Sequence, residues 1–597
     1  MRMRYKLRNH FTTDPNHALE AILRNRGVED IADFVAPTFS CELNPYDLEN
    51  IEAGVEMLLK HLRTDHNILF IVDQDADGFT SSSILWLYIK KVFPDAKLSF
   101  MIHEHKQHGL SDVIDKIEIN PIYDLVICPD SASYDVEEHR RLKELNMDCL
   151  ILDHHEQLYN DSGEPIISKE PNTIIINNQL SPRYKNKSLC GAGVVYKFCE
   201  VLDDTLELVE PLATNYLDLV ALGEIADVMD RTNVETNYTM MKGLSNITNG
   251  GIKALLKSVE NTPSLADRAK PPYIGLTPID IAFYIAPLIN AITRVGSMTE
   301  KETMFYCFIE PDRPCQSTKR GAKAGEIETA AEQTARVGKN AKSRQDKLKE
   351  KAIELIDFKI QKNDLLSNNI IIVEVDEEDN IPQELTGLIA MAIVSKYHKP
   401  CMIGRRNELN KVQGSIRSDS NFNGLPSFKA FLEQSSLIDY AAGHDNACGF
   451  GINGNRIEQL LQYANSNLKA EDFENCYVVD YILNANDPNN ADLMAVLASH
   501  PEFFGNHIDE VKFVVEGIPL GSPFLMGQNK DSTKISYNGI DYVRFKDPDF
   551  AMEVLEDKTK LLTAYGRANL NSWGGRTTVQ LFIDDYELKD DEHKYDF

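Results

Sequence analysis

The chain contains no run of about 18 consecutive apolar residues, the length a membrane-spanning helix needs. No apolar core follows its basic opening, MRMRYKLRNHF, so no secretory signal is read and a cytoplasmic location is expected. No C-x-x-C pair occurs among ten scattered cysteines, which argues against a zinc ribbon or a disulfide scaffold and for reduced thiols. Internal repeats and low-complexity tracts are missing too, which sets aside solenoids and linkers. Positive charge is scarce: 62 Lys and Arg stand against 92 Asp and Glu, a formal charge of -30, which argues against a protein that coats nucleic acid non-specifically.

What is present is ordinary globular material. The chain has 597 residues, 43% hydrophobic and 26% charged, enough for about three to five domains. Its charge is segregated. Residues 313–362 hold 13 basic and 7 acidic residues, whereas the tail from Asp584 holds 7 acidic and 2 basic.

Residues 1–62 show helical periodicity and read as an α-helical lead-in. Residues 63–312 begin with short β-branched segments, ILFIV, KLSFMIH, DLVIC, CLILD and TIIIN, separated by helical stretches. This alternation predicts a parallel α/β sheet, followed by mostly helical chain. The Ala-, Lys- and Glu-rich, proline-free stretch from Thr318 predicts a long connecting helix within 313–362. A smaller α/β unit is expected over 363–470. Short β-like segments over 474–597 predict a small β-barrel.

In open α/β sheets, ligands bind at the carboxyl ends of the strands, and the chemistry concentrates there. The first strand is followed by Asp73, Asp75 and Asp77, then Gly78. Three clustered carboxylates repel one another unless they are solvated in a turn or bound to cations. An EF-hand loop fits poorly, because Ile84 stands at its twelfth position. Asp130 closes the third strand, and Asp153, His154 and His155 close the fourth. One such residue is commonly a cap, but three consecutive strand ends are hard to explain that way. Asp227, in the apolar ALGEIADV, is either a further ligand or a polar helix end. Oxygen ligands with one or two imidazoles suit Mg²⁺ or Mn²⁺ better than Zn²⁺, and six or seven of them suggest two ions. Such a pair can activate water for attack on phosphorus, so phosphoester or phosphoanhydride hydrolysis is the expected reaction. Cys128 is expected to face away from these ligands.

Together VDQDADGFTSSS, the Asp130 strand end, LDHH and ALGEIADV resemble the DHH phosphoesterase superfamily. Within it the chain is similar to the RecJ family almost end to end. RNRGVEDIADFV and FYIAPLINAITRVG lie in the first part, GSIRS and AGHDNACGFG match the substrate-side DHHA1 domain, and GRANLNSWGGRTTVQLFIDDYEL resembles its OB-fold. The resemblance implies that Asp73, Asp75, Asp77, Asp130, His154 and Asp227 are metal ligands and that His155 is a ligand or orients the attacking water. It implies that His444 touches the scissile phosphate, and that Arg294, Ser415 and Arg417 form a 5′-phosphate pocket. Trp573 and Phe582 are candidates for stacking on bases, with barrel core the favoured alternative for each.

Three departures from the family pattern stand out. Ala442 replaces the first glycine of GGH, Ile292 and Thr293 crowd the position before Arg294, and a basic residue expected in HEHKQHG has only His103 or Lys106 to stand for it. The expected activity is metal-dependent 5′ to 3′ hydrolysis of single-stranded DNA in recombination, repair or replication, with Mn²⁺ or Mg²⁺. Single-strand-binding protein or a helicase are possible partners, and no membrane is involved. The alternatives are a phosphodiesterase for short oligonucleotides or cyclic dinucleotides, an inactive Cdc45-like scaffold, and an inorganic pyrophosphatase. The last would not need the C-terminal extension.

Overall fold

The computed structural model describes residues 4–8, 12–103, 108–160, 162–573 and 575–590, with the side chains of Ala266 and Trp573 excepted. The chain divides into two compact units. One comprises Arg26–Arg344 with Pro501–Asp509, the other Met1–Asn25, Gln345–His500 and Glu510–Phe597. Lys106 lies outside the described residues.

The first unit is built on five strands, β1 (Asn67–Val72), β2 (Lys97–Ile102), β3 (Leu125–Pro129), β4 (Asp148–Asp153) and β5 (Thr173–Asn177). All pair in parallel, in the order β2-β1-β3-β4-β5. Their uninterrupted apolar sequences reflect burial on both faces. Phe70, Val72, Ile127, Leu150 and Leu152 enter the larger core on one face. Leu69, Ile71, Val126, Cys128, Cys149 and Ile151 enter a smaller core on the other. Helices α1 (Ala76–Val92), α2 (Val136–Glu144), α3 (Gly191–Thr205), α4 (Leu217–Ala226) and α5 (Ala286–Val295) belong to this unit. The order places a topological switch point between β1 and β3, where the crossovers leave opposite faces and open a crevice at the carboxyl ends. The apolar helical stretch Pro278–Val295 has a mean hydropathy of 1.2 and is 56% buried. Its Ile281, Ile285, Leu288, Ile289 and Ile292 lie in the larger core, the position of a core helix.

Two expectations are corrected here. The long helix, α6, spans Ala330–Lys362 rather than beginning at Thr318. Before it, Pro314–Gln316 pairs antiparallel with Ile327–Thr329, and Gly321 and Gly325, both at positive φ, shape the loop between them. The lead-in is not one domain either. Arg4–Leu7 is a strand that pairs in parallel with Cys476–Val479, so the first 25 residues join the second unit while Arg26 onward joins the first.

The second unit holds a five-stranded sheet of β6 (Ile371–Val375), β7 (Cys401–Arg406), β8 (Lys411–Arg417), β9 (Tyr440–His444) and β10 (Ala447–Asn453), in the order β9-β10-β8-β7-β6, with helix α7 (Thr386–Tyr397) against β7 and β8. Its C-terminal, OB-like part is a seven-stranded mixed sheet dominated by the antiparallel pair Leu561–Trp573 and Arg576–Lys589. Register shifts at Val515/Ile518 and Tyr565/Gly566 mark bulges, which bend such sheets.

Candidate metal centre

The site grows from the ends of β1, β3 and β4. After Val72 the chain turns directly into α1, whose N-cap is Asp75, accepting the Gly78 amide at 3.0 Å. Asp77 in the first turn is buried and accepts the amides of Gly191 (2.6 Å) and Ala192 (3.0 Å) at the N-terminus of α3. Here helix α3 donates its free amides to a carboxylate of the site. Asp130 follows β3 in the left-handed region, φ 75°, with its amide on Leu152 O at 2.7 Å. Strict strand alternation would put residues 128 and 130 on one face. The positive φ ends that alternation, so Cys128 stays in the smaller core while the Asp130 carboxylate joins the site.

Three groups of ligand atoms result, each with its members within 4.8 Å of one another: Asp73, Asp75 and His108; Asp77, His154 and Asp227; Asp130, His154 and His155. His154 is the hinge of the last two. Its Nε2 lies 3.1 Å from Asp130 Oδ1, 3.6 Å from Asp227 Oδ2 and 3.9 Å from Asp77 Oδ2. The structure thus brings together all six expected ligands and His155. His108 was not anticipated. It bonds Asp73 through Nδ1, and the only sequence signal for it was its place in the histidine-rich HEHKQHG. His103, considered as the basic residue of that segment, is buried and bonds Asp112 at 2.6 Å, with Nε2 3.3 Å from Asp73.

Glycines let the carboxylates approach. A Cβ on Gly191 would lie 2.6 Å from Asp130 Cβ and Oδ1, and one on Gly78 would lie 2.5 Å from Asp73 Cβ. Both positions exclude every larger residue unless the acids move.

Electrostatics mark the cluster as unfinished. Burial, then Asp77, Asp75, Asp73 and Asp227, push Asp130 well above the usual carboxylate range. Burial followed by Asp73 raises Asp75, and burial followed by Asp77 and Asp75 pushes Asp227 up to about 8. Burial would raise Asp153 too, but its bond with His155 (2.7 Å) and the charge of that ring outweigh it and hold the carboxyl low. On the partner, burial is likewise outweighed by Asp153, and His155 rises to about 9. Among the described residues Asp73 Oδ1 and Asp130 Oδ1 are buried and accept no well-aligned hydrogen bond, each facing a histidine Nε2, His103 at 3.3 Å and His154 at 3.1 Å. Crowded carboxylates, orphaned oxygens and imidazoles fit hard divalent cations.

The other expected residues lie apart from this cluster in the sequence and on different elements. Arg294 is in the last turn of α5, partly exposed. In the second unit, Ser415 Oγ lies 2.8 Å from Thr386 Oγ1 at the start of α7, and the Arg417 guanidinium lies against Gly387. Burial lowers the Arg417 pKa. His444 is exposed at the end of β9, and Lys429 donates to Gly443 O at 3.0 Å. Gly443 has φ 125°, whereas Ala442 is not among the described residues with positive φ, so replacing the first glycine of the motif costs no strain. Phe582 packs edge-on to Phe545 at 5.3 Å, and the Trp573 side chain lies outside the described residues.

Comparison with known proteins gives the family and the fold. The family model described as DHH family, N-terminal domain, matches residues 67–224. A Bacillus subtilis protein named as an SPbeta prophage-derived single-strand DNA-specific exonuclease, YorK, is 33% identical over 98% of both chains. The single-stranded-DNA-specific exonuclease RecJ of Bacillus subtilis is 23% identical over 91% of this chain and 64% of its own. The crystal structure of RecJ in complex with Mn²⁺ from Thermus thermophilus shares the fold, with TM-score 0.68 and 18% identity over 99% of this chain and 80% of that one. With end-to-end identity of this extent and the DHH match over residues 67–224, the chain belongs to the RecJ-like branch of the DHH family.

Proposed function

We propose that the chain is a divalent-metal-dependent exonuclease that hydrolyses single-stranded DNA in the 5′ to 3′ direction. The observation that carries this reading is the meeting of five carboxylates and three histidines at the switch point of the parallel sheet, where two buried carboxylate oxygens accept no well-aligned hydrogen bond among the described residues. Asp73, Asp75 and His108 would hold one ion, and Asp77, Asp130, His154 and Asp227 a second, either Mn²⁺ or Mg²⁺. Such ions, when bound, supply Lewis acidity and a water of lowered pKa.

The chain's own groups do the rest. Asp153 fixes the His155 ring through Nδ1, leaving Nε2 to orient water beside Asp130. Asp77, bonded to two amides of α3, cannot rotate away. Ser415 and Arg417 beside the N-terminus of α7 offer a hydroxyl and a guanidinium, a combination suited to a terminal phosphate dianion. Arg294 is assigned to phosphate binding within its own unit and His444 to a substrate phosphate, where its ring stabilises developing charge. A terminal phosphate carries more charge than an internal one, which gives the 5′ end its preference. Trp573 is assigned to base stacking. The working environment of such an activity is the cytoplasm, beside single-strand-binding protein or a helicase.

The test is single-stranded DNA labelled at its 3′ end, incubated with the protein and Mn²⁺ or Mg²⁺. Progressive shortening from the 5′ side, abolished by EDTA and by Asp130→Ala, is the expected result. Binding without shortening, with short dinucleotides also untouched, would transfer the chain to the scaffold reading.

A further inference from the structure

Asp227 differs from the other carboxylates of the site in how it is held. Asp75 and Asp77 accept backbone amides and Asp73 is gripped by His108. Among the described residues no donor bonds the Asp227 carboxylate, and His154 Nε2 stands 3.6 Å away. Its aim therefore depends on the backbone at the end of α4. That backbone is strained: Val228, a β-branched residue, has φ 57°. Local bonds hold the turn in part, with Asp227 N on Gly223 O (2.9 Å), Met229 N on Glu224 O (2.9 Å) and Val228 N on Ile225 O (3.3 Å).

The remaining bonds come from far along the sequence. Pro501–Asp509 belongs to the same compact unit as the parallel sheet, although the chain on either side of it belongs to the other. Reciprocal bonds between Gly505 and Ile508, 2.9 and 2.7 Å, close it into a tight turn with Asn506 and His507 at the tip. Asn506 is 9% exposed and donates from Nδ2 to Glu224 O (3.0 Å) and Ile225 O (3.3 Å). His507 donates from Nε2 to Val228 O at 3.1 Å. Arg231, fully buried, anchors the segment by donating to Glu502 O (3.1 Å) and Phe504 O (3.0 Å). The segment thus meets carbonyls at the end of α4 and locks the left-handed turn beside Asp227.

We propose that Asn506 is a positioning residue for Asp227, and that the Pro501–Asp509 turn thereby sets the affinity of the site for a divalent cation. The proposal rests on reading Asp227 as a metal ligand. Partners that orient ligands without touching the ion commonly change affinity by about 10- to 100-fold when removed; acting through backbone, Asn506 is expected near the lower end.

Mn²⁺ binding to the metal-free, full-length protein, followed by the paramagnetic resonance of the free ion, tests this without activity. Asn506→Leu should weaken binding about tenfold while near-ultraviolet circular dichroism stays that of the unsubstituted protein. Asp227→Asn should weaken it at least as much, and the double variant should bind no more weakly than Asp227→Asn alone, because Asn506 acts through Asp227. Unchanged affinity in Asn506→Leu, or an effect that adds in full to that of Asp227→Asn, would overturn the proposal. If Asp227→Asn alone leaves binding intact, the ligand reading falls and the proposal with it. Asn506→Ser, which places no apolar group against the carbonyls, carries the same expectation should the leucine variant not fold.

Discussion

The two ends of the parallel sheet carry similar side chains in opposite states. At the amino end, Asp148 opens β4 and accepts from His61 (2.8 Å) and Lys60 (2.9 Å), Asp124 accepts the Asn67 amide (2.8 Å), and Lys97 pairs with Asp65 (2.7 Å). Burial would raise Asp148, but its His61 and Lys60 partners outweigh it and hold the carboxyl below its usual value. At the carboxyl end, Asp75, Asp130 and Asp227 are all driven up by burial and by one another. A carboxylate at a strand end is therefore not informative alone. Paired with a base it staples the fold, and crowded with other acids it is poised for a cation.

The largest effect that could break this contrast is Asp130→Asn. Hydrolysis of single-stranded DNA should fall about a thousandfold or more if Asp130, beside His154, holds the ion as proposed. The same substitution should raise the melting temperature of the metal-free protein by about 2–5 °C, since the cost of holding an ionisable carboxyl in the buried acidic cluster is removed. Calorimetric scans in EDTA would read this, and a lower melting temperature would mean that the cluster is not repulsive.

A second test sharpens the contrast through pH. Asp227 has a folded value of about 8, against about 3.9 for an unfolded aspartate, so folding takes up a proton between the two. Its contribution to metal-free stability is fully present below the unfolded value and is lost as pH rises through about 8. A cation must displace that proton, so Mn²⁺ affinity should climb by up to about tenfold per unit from pH 6 to 8. Titrations at fixed ionic strength check this, and a flat profile would contradict it.

Asp148→Asn should produce the smallest change. Activity should stay within about twofold, while unfolding in urea at pH 7 should show a loss of about 1–2 kcal/mol. Because the folded pKa of Asp148 is depressed, that contribution is present above the unfolded value and vanishes as pH falls through the folded one. The variant and the unsubstituted protein should therefore converge in acid.

Much of the site was legible in the sequence because its residues sit where short-range rules apply. Asp73, Asp130 and Asp153 directly follow or end β-branched runs, and strand ends of a parallel sheet converge whatever the loops between them do. His108 was harder to see, since it meets Asp73 from 35 residues further along the sequence, with no periodic pattern to announce it. Gly191 was missed as well. Its importance lies in a 2.6 Å approach to Asp130, 61 residues away in sequence, which no local pattern reports. The start of α6 was misplaced because its Ala, Lys and Glu content extends back past two glycines whose positive φ only the folded chain reveals.

The sequence by itself determined the parallel sheet, the acidic strand ends and the ion type they suit, because burial periodicity and like-charge repulsion are local properties. Tertiary structure decided which carboxylates are stapled and which are left hungry, and which distant segments complete the site. His108 on Asp73, the α3 amides on Asp77 and Asn506 behind Asp227 are contacts between residues tens to hundreds of positions apart. Such pairings depend on how the whole core closes, and the core closes through many weak contacts acting together.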